Sequence, residues 1–187
     1  RRNEDGYWYK ITGPDTFTNP IGGMTERVND IKEAPNGDIY VCGNMFNAGG
    51  VAGASGVVRW SKANQTWEAV GNPNVTGIRT MAFDAAGDLY VGGSFNNLAG
   101  IAKADYFAKY TCGTGSPAAW QAVGANIIGS GVNQGIHAIA ISPSGTIYIG
   151  GDFISASGNS NCKNIAYWNG TAWAPLNTGL NGTVYAL

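Results

Sequence analysis

The amino-acid sequence predicts an all-β chain assembled from a repeated four-stranded antiparallel unit, and three observations carry that expectation. The stretch Pro35-Asn36-Gly37-Asp38-Ile39-Tyr40-Val41 returns as Ala86-Gly87-Asp88-Leu89-Tyr90-Val91 and again as Ser144-Gly145-Thr146-Ile147-Tyr148-Ile149. Short runs rich in β-branched and aromatic residues flank each copy, punctuated by Gly, Pro and Asn, as strands and tight turns require. Gly 29 and Pro 7 together make about 19% of 187 residues against roughly 12% on average, and no helical period outlasts a turn.

Four strand candidates, A to D, follow in fixed order within each unit. Strand A is an apolar alternating run, Val28/Ile31, Ile78/Met81/Phe83 and Ile136/Ile139/Ile141. A tight turn comes next, with Gly37, Gly87 and Gly145 where a left-handed backbone suits glycine. Strand B carries Tyr40, Tyr90 or Tyr148 and leads to a glycine and then a phenylalanine: Gly43 and Phe46, Gly93 and Phe95, Gly151 and Phe153. Strand C is aromatic, Val58-Arg59-Trp60, Ala108-Lys109-Tyr110 and Ala166-Tyr167-Trp168. Strand D closes the unit as Trp67 to Val70, Trp120 to Val123 and Trp173 to Leu176. Unit starts at Val28, Ile78, Ile136 and Val184 give periods of 50, 58 and 48 residues.

Four short antiparallel strands at this repeat length are the signature of a β-propeller blade. A lone four-stranded sheet leaves both faces wet, whereas stacked sheets bury both. Each repeated Trp removes roughly 150–250 Å² from water when buried, about 4–6 kcal/mol gross at about 25 cal/mol/Å². The expected organisation is one propeller domain with blades at 28–77, 78–135 and 136–183. Residues 1–27 would supply the last strand of a preceding blade (7–12, around Trp8) and a linker, and 184–187 the first strand of a next one. Three blades fall short of the usual ring of four to eight, so the sequence reads as part of a longer propeller.

The pattern Gly-x-(Ile/Leu)-Tyr-(Val/Ile)-Gly-Gly-x-Phe, then Ala-Gly-Gly or Ala-Ser-Gly, then Ile-Ala-x-Trp-Asn-Gly-x-x-Trp-x-x-Leu resembles the propeller repeats of large bacterial surface and secreted proteins. Similar repeats occur in phage tail and virion proteins and in the fungal cortical marker of cell polarity. The likeness covers about residues 28–187 and is nearly intact from Tyr148 to Leu176. It departs at Cys42-Gly43-Asn44-Met45-Phe46 and at Tyr110-Thr111-Cys112. The resemblance implies blade architecture and an extracellular, cell-surface or virion-surface setting. It carries over no catalytic residue, because propellers host many unrelated roles.

Charge excludes two partner classes. A net charge of −1 with only 12% charged residues gives no field for nucleic acid or an anionic bilayer. No apolar run reaches the ~18–20 residues of a membrane span, and neither end reads as a signal peptide. The single histidine, His137, aligns with Asn29, Arg79 and Tyr185 in strand A. A metal site needs several converging ligands, so His137 reads as a packed or channel-facing residue, and no metal or cofactor is expected. Cys42, Cys112 and Cys162 show no C-x-x-C spacing and read as free thiols. Asp84 and Asp88 would suggest calcium, but their equivalents, taken as Glu33 with Asp38 and Ser142 with Thr146, fit turn acceptors instead. Asp152 stands in the place of Asn44 and Ser94.

The longer connections, B to C and D to A, share one face of a propeller, rich in Gly, Asn, Ser and Ala. Asn47, Asn96, Asn97, Lys103, Asp105, Asn159 and Asn161 are the candidate ligand- or partner-binding residues there, since loops on a rigid scaffold often carry function. The repeated aromatics Trp8, Tyr40, Trp60, Trp67, Tyr90, Tyr110, Trp120, Tyr148, Trp168 and Trp173 are read as structural. Four N-x-(S/T) sequons occur, at Asn64, Asn74, Asn169 and Asn181. The sequence therefore reads as a non-catalytic propeller module working by protein–protein contact or adhesion in a larger assembly. A carbohydrate-binding propeller is the alternative. A part of a propeller enzyme, as in propellers resembling the galactose oxidase type, is the third reading, without identifiable copper ligands or a nucleophile–base pair.

Overall fold

The computed structural model describes residues 27–112, 118–124 and 135–187. The first sheet comprises β1 (Val28–Glu33), β2 (Ile39–Gly43), β3 (Val57–Ser61) and β4 (Thr66–Ala69). The second comprises β5 (Ile78–Phe83), β6 (Leu89–Gly93), β7 (Phe107–Thr111) and β8 (Ala119–Ala122). The third comprises β9 (Ile136–Ile141), β10 (Ile147–Gly151), β11 (Ile165–Trp168) and β12 (Trp173–Pro175). Each sheet is antiparallel with its strands in chain order.

Alternation along the second strand of each sheet explains the stacking. Tyr40 and Cys42 face the second sheet and join Leu89, Val91, Ala108 and Trp120 in one buried cluster. Tyr90 and Phe107 face the other way and join Ile147, Ile149, Ala166 and Trp173 of the third sheet. The middle sheet is thus covered on both sides, and every residue of β6 is buried, which is why it reads Leu-Tyr-Val rather than alternating apolar and polar. Val41, Met45, Ala48, Ala54 and Val58 form a further cluster on the opposite face of the first sheet.

Aromatic pairs lock the third and fourth strands of every sheet. Trp60 lies directly opposite Trp67, Tyr110 opposite Trp120, and Trp168 opposite Trp173. Their ring centroids are 5.3, 4.9 and 5.4 Å apart, the range in which cross-strand aromatic pairs stabilise a sheet. The glycine after the fourth strand makes room for the neighbouring sheet. A Cβ on Gly71 would lie 2.4 Å from Tyr110, and one on Gly124 2.4 Å from Trp168. Trp120 Nε1 donates to the Val70 carbonyl at 3.1 Å, and Trp173 meets Phe107 edge-on at 5.3 Å. Trp67 is only half-buried, since no sheet stands against that side among the described residues.

Two sequence expectations need correction. Phe46 is not the counterpart of Phe95 and Phe153: it is exposed, and Met45 is buried in that place. The backbone shows the equivalence, because the carbonyls of Met45, Phe95 and Phe153 accept from Gly56, Tyr106 and Asn164. The counterpart of Asp84 is Ala34, not Glu33, as the turn bonds from Ala34, Asp84 and Ser142 to Asp38, Asp88 and Thr146 show. Asp84 and Ser142 do accept turn N–H groups, while in the first sheet Asn36 does so for Asp38. Asp38 and Asp88 instead bind the end of the third strand, accepting from the N–H of Lys62 at 2.8 Å and Cys112 at 2.9 Å. Trp8 and the strand expected at 7–12 lie outside the described residues. Residues 184–187 are not assigned as strand, although Val184 abuts Gly150 as Ile136 abuts Gly92.

Candidate binding site

A bulge at one repeated position builds the site. In β1 the register passes from Val28↔Gly43 to Asp30↔Cys42, in β5 from Ile78↔Gly93 to Thr80↔Gly92, and in β9 from Ile136↔Gly151 to Ala138↔Gly150. Asn29, Arg79 and His137 are the extra residues, and a bulge re-aims the side chain it carries. The glycine at the end of the second strand permits this. A Cβ on Gly43, Gly93 or Gly151 would sit 2.0 Å from the carbonyl oxygen of Arg27, Gly77 or Gly135. Those same carbonyls accept from the N–H of Asn44, Ser94 and Asp152.

The bulged residues reach towards one another from strand to strand. Asn29 Nδ2 donates to the Ile78 carbonyl at 2.6 Å, and Asp30 Oδ2 accepts from the Met81 N–H at 2.9 Å. Arg79 Nη1 stands 3.4 Å from Nδ1 and 3.3 Å from Nε2 of His137. Which ring nitrogen accepts from Arg79 depends on the His137 tautomer. The opposite neighbour of His137 is Tyr185, with ring centroids 5.1 Å apart. His137 Nε2 also stands 3.4 Å from Asp152 Oδ2, and Asp152 Oδ1 accepts from the Gly135 N–H at 2.5 Å.

Between these side chains lies a recess of about 480 Å³ lined by Arg27, Asn29, Asn44, Gly77, Arg79, Ser94, His137 and Tyr185. It contains two guanidinium groups, amide and hydroxyl donors and acceptors, and the Tyr185 ring, with no carboxylate among the lining residues. Such a lining has the donors and acceptors to hold a polar or anionic group. Among the described residues no three His, Cys, Asp or Glu side chains come together as metal ligands.

The loop residues singled out in the sequence lie at the same end of the sheets, where the two longer connections touch. The Ala99 N–H donates to the Pro73 carbonyl at 2.8 Å, and the Leu180 N–H to the Lys163 carbonyl at 2.9 Å. Most of the candidates also shape their own loops. Asn47 Oδ1 accepts from the Gly53 N–H, the Asn97 N–H donates to Asp105, and Asn159 Oδ1 accepts from the Asn161 N–H. Asn47 and Asn97 hold left-handed backbones, which asparagine tolerates. Asn96 and Lys103 are exposed. Arg27, Asn29, Asn44, Arg79, Ser94 and Tyr185 were absent from the sequence-based candidates. Their signal was present in the alignment of Asn29, Arg79, His137 and Tyr185, polar or aromatic positions inside an apolar strand.

Other clusters are internally closed. Lys109 Nζ is 2.6 Å from Asp88 and 4.0 Å from Asp84. Arg59 pairs with Glu68 and stands 3.7 Å from Asp38. A hydrogen bond from Asn64, then one from Arg59, holds the Glu68 carboxyl below its ordinary value. Cys42, Cys112 and Cys162 are free thiols, and burial pushes all three up. The four sequon asparagines are exposed. No protein-family model matches the sequence, and a search of curated proteins returns no match.

Proposed function

We propose that these sheets are successive blades of a β-propeller that serves as a non-catalytic binding module in a larger extracellular, cell-surface or virion-surface assembly. The observation that supports this reading is the repeated bulge, which turns Asn29, Arg79 and His137 towards a single recess while the strand pairing continues on either side of it. Side-by-side first strands with their polar residues turned inwards are what the centre of a propeller requires. Protein contact is the first expected mode, through the face formed by the two longer loop classes. Cross-linking mass spectrometry on the native material tests it. Links to other polypeptides should concentrate at Lys103 and Lys163, with few at Lys62 on the opposite turns. Recovery of a free monomer, or links confined to Lys62, would refute the reading.

A carbohydrate-binding propeller is the second reading, and the amide, hydroxyl and guanidinium lining of the recess favours it. Neutral hydroxyl-rich ligands need such convergent donors and acceptors. A glycan array carrying neutral and acidic sugars tests it, and a blank array would sink it.

A further inference from the structure

We propose that the recess at the bulged strands binds the carboxylate of an acidic sugar, with the Arg79 guanidinium as its anchor. The proposal rests on the carbohydrate reading and names the sugar class that reading leaves open. Three cations among the described residues are half-buried: Arg59, Arg79 and Lys109. Arg59 is paired with Glu68 and Asp38, and Lys109 with Asp88 and Asp84. Among the described residues Arg79 alone of the three has no carboxylate within ion-pair distance; its Nη1 contacts the His137 ring nitrogens. Half-burying a cation without a counter-ion costs solvation that an incoming anion restores.

The nearby acids are committed elsewhere. Asp152 is held by the Gly135 N–H and His137. Asp30 is held by Lys32 at 3.1 Å and by the Met81 N–H. Arg27 adds a second guanidinium to the lining. A planar guanidinium matches a carboxylate through two parallel hydrogen bonds, which a point charge does not. The rest of the lining suits the rest of a sugar. Asn29, Asn44 and Ser94 present amide and hydroxyl groups, and the Tyr185 ring is 73% exposed, ready to take the C–H face of a pyranose. A volume of about 480 Å³ falls within the roughly 300–1,000 Å³ of small-molecule sites.

The test is a titration of this chain, followed by calorimetry and amide NMR, with sodium glucuronate, galacturonate, glucose and galactose. The peptide acetyl-Asp-Gly-Asp is a fifth probe. Both uronates should bind, shifting the amides of Gly77, Ser94 and His137, and the neutral hexoses should bind at least tenfold more weakly. Arg79→Gln should weaken uronate binding about tenfold to a hundredfold, the loss expected for one charge-assisted pair. Arg27→Gln, at an exposed residue of the same lining, gives the same direction of change should Arg79→Gln fail to fold. Equal binding of neutral and acidic sugars overturns the carboxylate assignment and leaves the carbohydrate reading standing. Binding of the peptide without the uronates overturns it in favour of an acidic protein partner. No response to any sugar overturns both the assignment and the carbohydrate reading.

Discussion

Replacing Gly93 by alanine should destabilise the protein far more than a glycine-to-alanine change ordinarily does. Its added methyl would lie 2.0 Å from the Gly77 carbonyl oxygen, 2.9 Å from Ile78 Cα and 3.0 Å from the Gly77 carbonyl carbon. All three are backbone atoms, so no rotamer change relieves the clash, and β5 must move away from β6. That movement breaks the 2.9 Å bond from the Ser94 N–H to the Gly77 carbonyl, a loss of about 1 kcal/mol. Overpacking adds about 1–3 kcal/mol, for a total of about 2–4 kcal/mol. At about 2–4 °C per kcal/mol for a chain of this size, Tm should fall by about 4–16 °C in a circular-dichroism melt. Two other glycines calibrate the result. Gly182 has no atom within 4 Å and no left-handed backbone, so Gly182→Ala should stay within about 0.5 kcal/mol. Gly87 has open space but φ +85°, so Gly87→Ala should cost about 1–2 kcal/mol. If Gly93→Ala melts with Gly182→Ala, the bulge does not depend on the missing side chain and the reasoning is wrong.

Further outcomes follow from burial and titration. Trp120→Ala should cost about 3–5 kcal/mol in urea denaturation, and Trp67→Ala clearly less, because Trp67 is only half-buried. The depressed Glu68 carboxyl contributes stability that is full above its unfolded value near about 4.3 and is lost as pH falls through the folded value. Glu68→Gln should therefore make the acid loss of stability shallower below about pH 4.3. Cys42 behaves oppositely, since burial raises its thiol. Its contribution is full below the unfolded value near about 8.5 and declines as pH rises towards the folded one. Cys42→Ala should flatten the alkaline fall in stability above about pH 8.5. Native Cys42 should also resist a thiol reagent that labels it at once in denaturant.

The repeated four-stranded sheets were legible because each strand's composition answers to burial on a known face. Tyr40, Tyr90 and Tyr148 mark the second strand, and Trp67, Trp120 and Trp173 mark the fourth. Phe46 was misread because residue type was followed rather than spacing. The buried pocket accepts any large apolar group two residues after the glycine, and Met45 fills it. The Asp38 and Asp88 roles were hidden because their partners, Lys62 and Cys112, stand 24 residues away. The recess was missed for a related reason. A bulge leaves no signature in apolar periodicity, and its cause is a carbonyl packed on Gly43, Gly93 or Gly151, a contact between strands.

That inserted residue has a consequence for how the scaffold tolerates change. Asn29, Arg79 and His137 stand outside the in–out rhythm of their strands, since the partner strand has no residue opposite them. None of the three belongs to a buried apolar cluster, so each sheet contributes one position to the recess from outside its apolar core. A library randomised at 29, 79 and 137 together with 185 would vary the lining of the recess while leaving the residues of the apolar clusters unchanged. The lining of the recess and the packing between sheets are thereby encoded by separate letters of the same repeat.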